Sequence, residues 1–217
     1  MINAHIATLP ERIESFKASV ESIVHQVDQL FVTLNHYENV PDFIKGNNKI
    51  KYKVSDNSRG SNEKIANLKD GWNFLCDDDI IYPSKYVNET IYKSRNLDGI
   101  FSYHGMILNE RPISSYYRDR KKYYHFNKRK MFTTKVDIAG TGVMAFHTKT
   151  FTPNIHNYIY PNMTDIFTSI EAKRKNINLY VLKHKSNYFK SIIHKNNIWN
   201  SARNNDKIQT KLINDFF

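Results

Sequence analysis

The chain carries one cysteine, Cys76, in 217 residues. That excludes an internal disulfide framework and a cysteine-rich zinc site, and it fits a reducing compartment. No window reaches eighteen apolar residues, so the sequence encodes no membrane-spanning helix. Met1 runs directly into the apolar stretch Ile2–Leu9, without a basic region, a long apolar core and a small-residue cleavage site. An export leader is therefore not expected, and the cytosol is the default location. Internal repeats are lacking, and so is any Pro/Gly/Ser-rich linker that would divide domains, so one domain is expected at this length. Acids are outnumbered: 21 Asp and Glu stand against 32 Lys and Arg, a net charge of +11. Attraction to polyanions follows, but nucleic acid, anionic lipid and nucleotide diphosphates all meet that description. The excess lies in the second half, where residues 111–130 carry eight Lys/Arg against one acid and residues 181–217 seven against two. Richness in Asn, Lys and Ile also points to a genome low in G and C, which raises lysine content without a functional demand.

Aromatic residues are plentiful, with fourteen Tyr and thirteen Phe, and exclude wholesale disorder. Ile2–Leu9 reads as a strand ended by Pro10. From Glu11 the apolar residues Ile13, Phe16, Val20, Ile23, Val24 and Val27 adopt the three-and-four spacing of an amphipathic helix. Asp28–Asn35 is nearly continuously apolar, as in the covered strand of a parallel sheet, and Lys49–Val54 is a weaker third strand. A short helical turn is predicted around Val40–Ile44, a helix over Glu63–Leu68, and a buried strand at Trp72–Cys76. Beyond Pro83 follow a helix through Tyr86, Val87, Thr90 and Ile91 and a strand over Gly99–Leu108. Residues 111–130 have no clean period and predict a long loop. Strand-like sequence resumes over Val136–His147, with a helix over Met163–Lys175 and a last strand at Leu179–Leu182. The alternation of β and α predicts an α/β fold with a mostly parallel sheet.

Three acids, Asp77, Asp78 and Asp79, follow the buried strand directly. In open α/β sheets ligands bind outside the carboxyl ends of strands. Transfer from a nucleoside diphosphate sugar must neutralise a pyrophosphate leaving group, and a hard divalent cation held by carboxylates does this without proton transfer. Side chains two apart in an extended segment face the same way, so Asp77 and Asp79 can address one site while Asp78 turns elsewhere.

The run Phe74-Leu75-Cys76-Asp77-Asp78-Asp79-Ile80-Ile81-Tyr82-Pro83 resembles the DXD region of GT-A glycosyltransferases, in particular the bacterial family-2-like enzymes of capsule and surface polysaccharide synthesis. Ile6–Arg12 resembles that family's first strand and nucleotide-facing loop, and Asp56–Asn67 its next nucleotide-binding segment. Gly140–Phe146 and Pro161–Ile166 resemble its acceptor-side strand and base-bearing helix start, so the resemblance runs from Ile2 to Leu182. It implies a GT-A (Rossmann-like) domain over residues 1–185, with a basic segment, 186–217, closing the active site. It implies an inverting, metal-dependent transfer, with Mn²⁺ or Mg²⁺, from a nucleotide-sugar donor to a glycan or lipid-linked glycan, UDP-sugars being favoured. By the same resemblance Thr8, Pro10, Glu11, Arg12 and Asn35 would line the nucleoside pocket. Asn35 departs from the Asp usual there. Asp56 would contact the base and Lys64 or Arg59 the phosphates, Asp77 would hold ribose or metal, and Asp79 the metal, with Asp78 beside them. Asp165 is the candidate general base, preceded by Thr164 where a Glu is usual. His194 would be a further metal ligand, with His147 and His104 behind it.

Tyr116, Tyr117, Tyr123 and Tyr124 could stack on a sugar ring or simply pack onto the domain. The basic tail and Tyr-rich loop could clamp the diphosphate, approach anionic lipid at the inner face of the membrane, or keep the protein soluble. Two other readings remain. A nucleic-acid-binding protein would use the interleaved bases and aromatics but leaves the Asp triplet unexplained, so no nucleic acid is expected. A sugar nucleotidyltransferase shares the sheet and the metal acids, but its first loop normally bears glycine, and Leu9-Pro10-Glu11-Arg12 has none.

Overall fold

In the computed structural model, which describes residues 1–194 and 205–217, strand and helix alternate through the first hundred residues. The strands are β1 (Ile2–Thr8), β2 (Gln29–Asn35), β3 (Ile50–Ser55), β4 (Trp72–Cys76), β5 (Ile80–Ile81), β6 (Ile100–Ser102) and β7 (Gly105–Leu108). They continue with β8 (Arg120–Tyr124), β9 (Thr134–Val136), β10 (Ile138–Ala139), β11 (Val143–His147), β12 (Leu179–Val181) and β13 (Lys190–Ser191). The helices are α1 (Ile13–Ile23), α2 (Tyr86–Ser94), α3 (Thr164–Arg174) and α4 (Lys207–Phe216), none of them long and apolar enough to cross a membrane.

The main sheet has eight strands in the order β3-β2-β1-β4-β11-β6-β12-β9. β3, β2, β1 and β4 run parallel, β11 runs antiparallel to both neighbours, β6 and β12 return to the parallel sense, and β9 is antiparallel at the edge. Alternation of side chains divides the strands between two cores, as the two-residue period requires. Phe74 and Cys76, Val143 and Ala145, and Tyr180 and Leu182 face the core that buries Phe16, Val20 and Ile23 of α1 and Tyr86 and Val87 of α2. Leu75, Met144 and Phe146, and Leu179 and Val181 face the opposite core, with Ile166, Phe167 and Ile170 of α3 and Leu212 and Ile213 of α4. Covering on both faces is the physical reason these strands read as continuous apolar runs. Cys76 is wholly enclosed, and burial pushes its thiol up to about 12, so it packs as an inert side chain.

Four segments differ from the sequence reading. Glu63–Leu68 is not a helix: the chain makes a 3₁₀ turn over Gly60–Ile65. Gly99–Leu108 splits at Tyr103-His104, leaving β6 in the main sheet and β7 in a three-stranded ribbon ordered β10-β7-β8. Val136–His147 is likewise shared among three strands, and residues 111–130 contain β8, antiparallel to β7. A two-residue period cannot show which sheet a strand joins. The amphipathic α4, which closes the second core through Leu212 and Ile213, was not anticipated.

Candidate functional site

The carboxyl ends of the parallel strands open on one edge of the sheet. Thr8 ends β1, Asn35 ends β2, Asp56 follows β3, and Asp77–Asp79 follow β4. Because β11 is antiparallel to β4, Gly140-Thr141-Gly142 enters β11 at that same edge, opposite the triplet. The turn is fastened there. The Tyr82 hydroxyl accepts the Asp77 N–H at 2.8 Å and donates to the Gly142 carbonyl at 2.7 Å, and the Ser19 hydroxyl of α1 lies 2.8 Å from the Asp77 carbonyl. Gly142 admits no side chain: a Cβ would stand 2.1 Å from Asp77 Oδ2.

Two cations serve the carboxylates. Arg12, on the 3₁₀ turn Pro10–Arg12, places Nη1 3.0 Å from Asp78 Oδ1 and 3.5 Å from Asp79 Oδ2. Burial raises the Asp78 carboxyl above its ordinary range, and the Arg12 guanidinium only partly offsets it. Asp79 is pushed up to about 7, first by burial and then by the neighbouring Asp77 and Asp78 charges. Lys64 is enclosed, its side chain 3 % exposed, and its Nζ lies 2.5 Å from Asp77 Oδ1. Burial works against its charge, yet Asp77 and, more weakly, Asp165 outweigh that and hold its pKa above the ordinary lysine value.

Asp165 lies in the first turn of α3. Its Oδ1 accepts both the backbone N–H of Thr141 at 2.9 Å and the Thr141 hydroxyl at 2.5 Å. Burial nonetheless raises its pKa. The helix start is locked to the turn that bears Lys64. Ser61 N–H donates to Asn162 Oδ1 at 2.8 Å, Thr164 Oγ1 donates to Asn62 Oδ1 at 2.9 Å, and Asn62 Nδ2 donates to the Tyr160 carbonyl at 2.8 Å. Gly60, at φ +54°, sits so close that a Cβ would be 2.1 Å from Asn162 Oδ1. Lys64, Asp77 and Asp165 thus come together from three distant stretches of chain. The residues that join them, Asn62, Asn162 and Thr164, were missed by sequence reasoning, and isolated polar residues a hundred positions apart carry no periodic signal.

The other sequence candidates are placed as follows. Pro10 and Glu11 are exposed on the rim, and Asp56 is exposed, its Oδ1 accepting from the Ser58 N–H. Asn35 is buried with Oδ1 lacking a hydrogen-bond partner among the described residues. His194 returns to the site edge, since Ile192 N–H donates to the Asp79 carbonyl, but its Nε2 bonds the Ser15 hydroxyl at 2.9 Å. His147 is at the opposite edge, paired with Trp72, and cannot join the triplet. His104 packs with Tyr123, His125 and Phe126, and burial, then the neighbouring His125, pushes it down to about 3. Tyr116 is buried against Tyr117, and Tyr123 is partly open under the Arg120 guanidinium. Among the described residues no three His, Cys, Asp or Glu side chains converge into a ready-made metal cage. Asp77 and Asp79, with side chains 40 % and 27 % exposed, are hard oxygen donors of the kind Mg²⁺ and Mn²⁺ prefer.

No family model and no curated protein matches the chain. Solved structures do. The 4-diphosphocytidyl-2C-methyl-D-erythritol synthase of Anaerococcus prevotii aligns with TM-score 0.54 at 12% identity over 90% of this chain and 93% of its own. Residues 1–349 of S. aureus TarS align with TM-score 0.58 at 9% identity over 88% of this chain and 60% of that one. A Methanothermobacter nucleotidyl transferase aligns with TM-score 0.50 at 12% identity over 84% and 86%. At such identities the likeness is one of fold: a mixed α/β domain of the Rossmann-like kind common to GT-A enzymes and nucleotidyltransferases.

Proposed function

We propose that the protein transfers a sugar from a nucleotide-sugar donor, UDP-sugars favoured, to a glycan acceptor in surface polysaccharide synthesis, with inversion and with Mg²⁺ or Mn²⁺. The observation that carries this reading is the enclosed Lys64, which bonds Asp77 and feels the charge of Asp165. It couples a donor-side carboxylate to an acceptor-side carboxylate within one site. Leaving group and nucleophile can then be handled on opposite sides of one reacting carbon.

Asp165 suits the base. Its Oδ1 is held by Thr141, its Oδ2 has no hydrogen bond among the described residues, and its raised pKa strengthens it as a proton acceptor near neutral pH. Asp77 and Asp79 would hold the divalent ion, which supplies the charge that a diphosphate leaving group needs. Thr8, Pro10, Glu11, Asn35 and Asp56 would border the nucleoside, since they follow or end β1, β2 and β3 at the same edge. Arg12 keeps Asp78 and Asp79 in place, and Arg59, exposed at the start of the 3₁₀ turn, is the cation open to phosphate. His194 could reach an ion through Nε2 only by leaving Ser15.

A thermal-shift panel of UDP, GDP, CDP and CMP sugars, with and without Mn²⁺, tests this reading. One nucleotide should raise the melting temperature only with metal, and Asp79→Ala should abolish that shift. Normal metal-dependent binding by Asp79→Ala would overturn the assignment. Nucleotidyl transfer is the second reading, favoured by the two nucleotide-transferring enzymes among the fold's likenesses. Release of pyrophosphate from a nucleoside triphosphate and a sugar phosphate, in place of nucleoside diphosphate from a nucleotide sugar, would select it.

A further inference from the structure

The segment Lys128-Arg129-Lys130-Met131-Phe132 runs from β8 toward β9. Its backbone lies antiparallel to the stretch after β12, with Lys130 and His184 exchanging N–H···O bonds of 2.9 Å. That register sets Arg129 beside Lys185 and Met131 beside Lys183. Phe132 is 72 % exposed and Met131 60 %, whereas most of the chain's other aromatic and aliphatic side chains are packed in the two cores. Lys128, Arg129, Lys183 and Lys185 are all exposed, and none has an acidic partner among the described residues. Lys130 is held inward by Thr134 Oγ1 and the Tyr124 ring, so the tip has a fixed base.

We infer that this tip docks the protein on an anionic lipid surface, with Phe132 and Met131 entering the interface and Lys128, Arg129, Lys183 and Lys185 meeting the headgroups. An apolar pair ringed by unpaired cations gains from both layers of a bilayer at once, apolar area against acyl chains and charge against anionic headgroups. A soluble polyanion would use the cations but leave Phe132 and Met131 in water. β12 is parallel to β6 and points its carboxyl end toward the edge that holds the Asp triplet, three strand spacings or roughly 14 Å away in the sheet. Docking there brings the site edge to the membrane, where a lipid-linked acceptor resides. The docking does not depend on the transfer chemistry.

Co-sedimentation of the full chain with vesicles tests the inference. The protein should bind phosphatidylcholine vesicles containing phosphatidylglycerol and not phosphatidylcholine alone. Met131→Ser with Phe132→Ser should weaken binding by about tenfold or more, and Arg129→Gln or Lys185→Gln by roughly fivefold each. Because all four side chains are exposed, melting temperatures should be unchanged. In the Phe132→Trp variant, emission from the new tryptophan should shift to the blue on vesicles and be quenched by brominated lipid. Failure to bind anionic vesicles, or binding indifferent to the Met131/Phe132 pair, overturns the inference. So does single-stranded RNA binding that exceeds lipid binding and needs only the cations, or a dimer that Phe132→Ser dissociates without changing vesicle binding.

Discussion

Arg12 and Lys64 each face the same acidic turn, yet their surroundings differ. Arg12 lies on the first loop, reaches Asp78 and Asp79 from the end of β1, and shares one nitrogen between them at 3.0 and 3.5 Å. Lys64 is closed off in the interior, bonds Asp77, and feels Asp165 across the site. The first cation steadies a lip where burial and the neighbouring carboxylates still push Asp79 up to about 7. The second is enclosed with its partner and should matter to stability as much as to chemistry. A buried cation with partners is costly to remove, because the carboxylates left behind lose their compensation.

The largest effect should come from Asp165. Asp165→Asn keeps an amide that can still accept from Thr141 but cannot take a proton, so turnover should fall on the order of 10³-fold while metal-dependent nucleotide binding stays unchanged. Single-turnover assays beside thermal shifts separate the two, and a binding loss equal to the rate loss would place Asp165 on the donor side. Next come the two cations: Lys64→Met, which removes an enclosed ammonium, and Arg12→Met, which strands Asp78 with its side chain 5 % exposed, should each cost roughly 2–4 kcal/mol in denaturant unfolding. A loss under about 1 kcal/mol for either would show that its carboxylate partner finds water instead. Gly142→Ala forces its Cβ against Asp77 Oδ2 and should cost about 1–3 kcal/mol, with weakened metal-dependent nucleotide binding.

The smallest effect depends on pH and sharpens the account of the lip. Asp79 has a folded pKa of about 7, above the ordinary carboxylate value, so the folded state binds the proton more tightly than the unfolded one. Its contribution is therefore favourable at low pH and is lost as pH rises through about 7. In metal-free protein, Asp79→Asn should raise stability at pH 8 by on the order of 1 kcal/mol and have less effect at pH 5. Added Mn²⁺ should stabilise the parent protein more at pH 8 than at pH 6, because proton and metal compete for one carboxylate. Equal Mn²⁺ shifts at both pH values would take Asp79 out of the ligand set.

Much of the first half of the chain was legible from local pattern. The spacing of Phe16, Val20 and Ile23 specifies the face that α1 buries, and the apolar run before Asp77 specifies a covered strand with acids at its end. The second half was less so. Its strands are two to five residues long, and Tyr103-His104 switches sheets without any break in apolar character. A helix over Glu63–Leu68 was expected, but bonds between Ser61 or Asn62 and residues 160–164 favour a tighter turn. His147 looked like any other strand-end histidine until the antiparallel sense of β11 put it at the wrong edge.

The sequence by itself determined the α/β alternation, the covered central strands and the position of Asp77–Asp79 at a strand's carboxyl end. These follow from periods of two and 3.6 residues, which short windows contain. Only the tertiary structure decided that Lys64 is enclosed against Asp77, that Gly142 is kept bare by Asp77, that His194 rests on Ser15, and that Met131 and Phe132 stay outside both cores. Each depends on contacts or exposure set by segments far apart in the chain, and no local period records which distant residue will arrive.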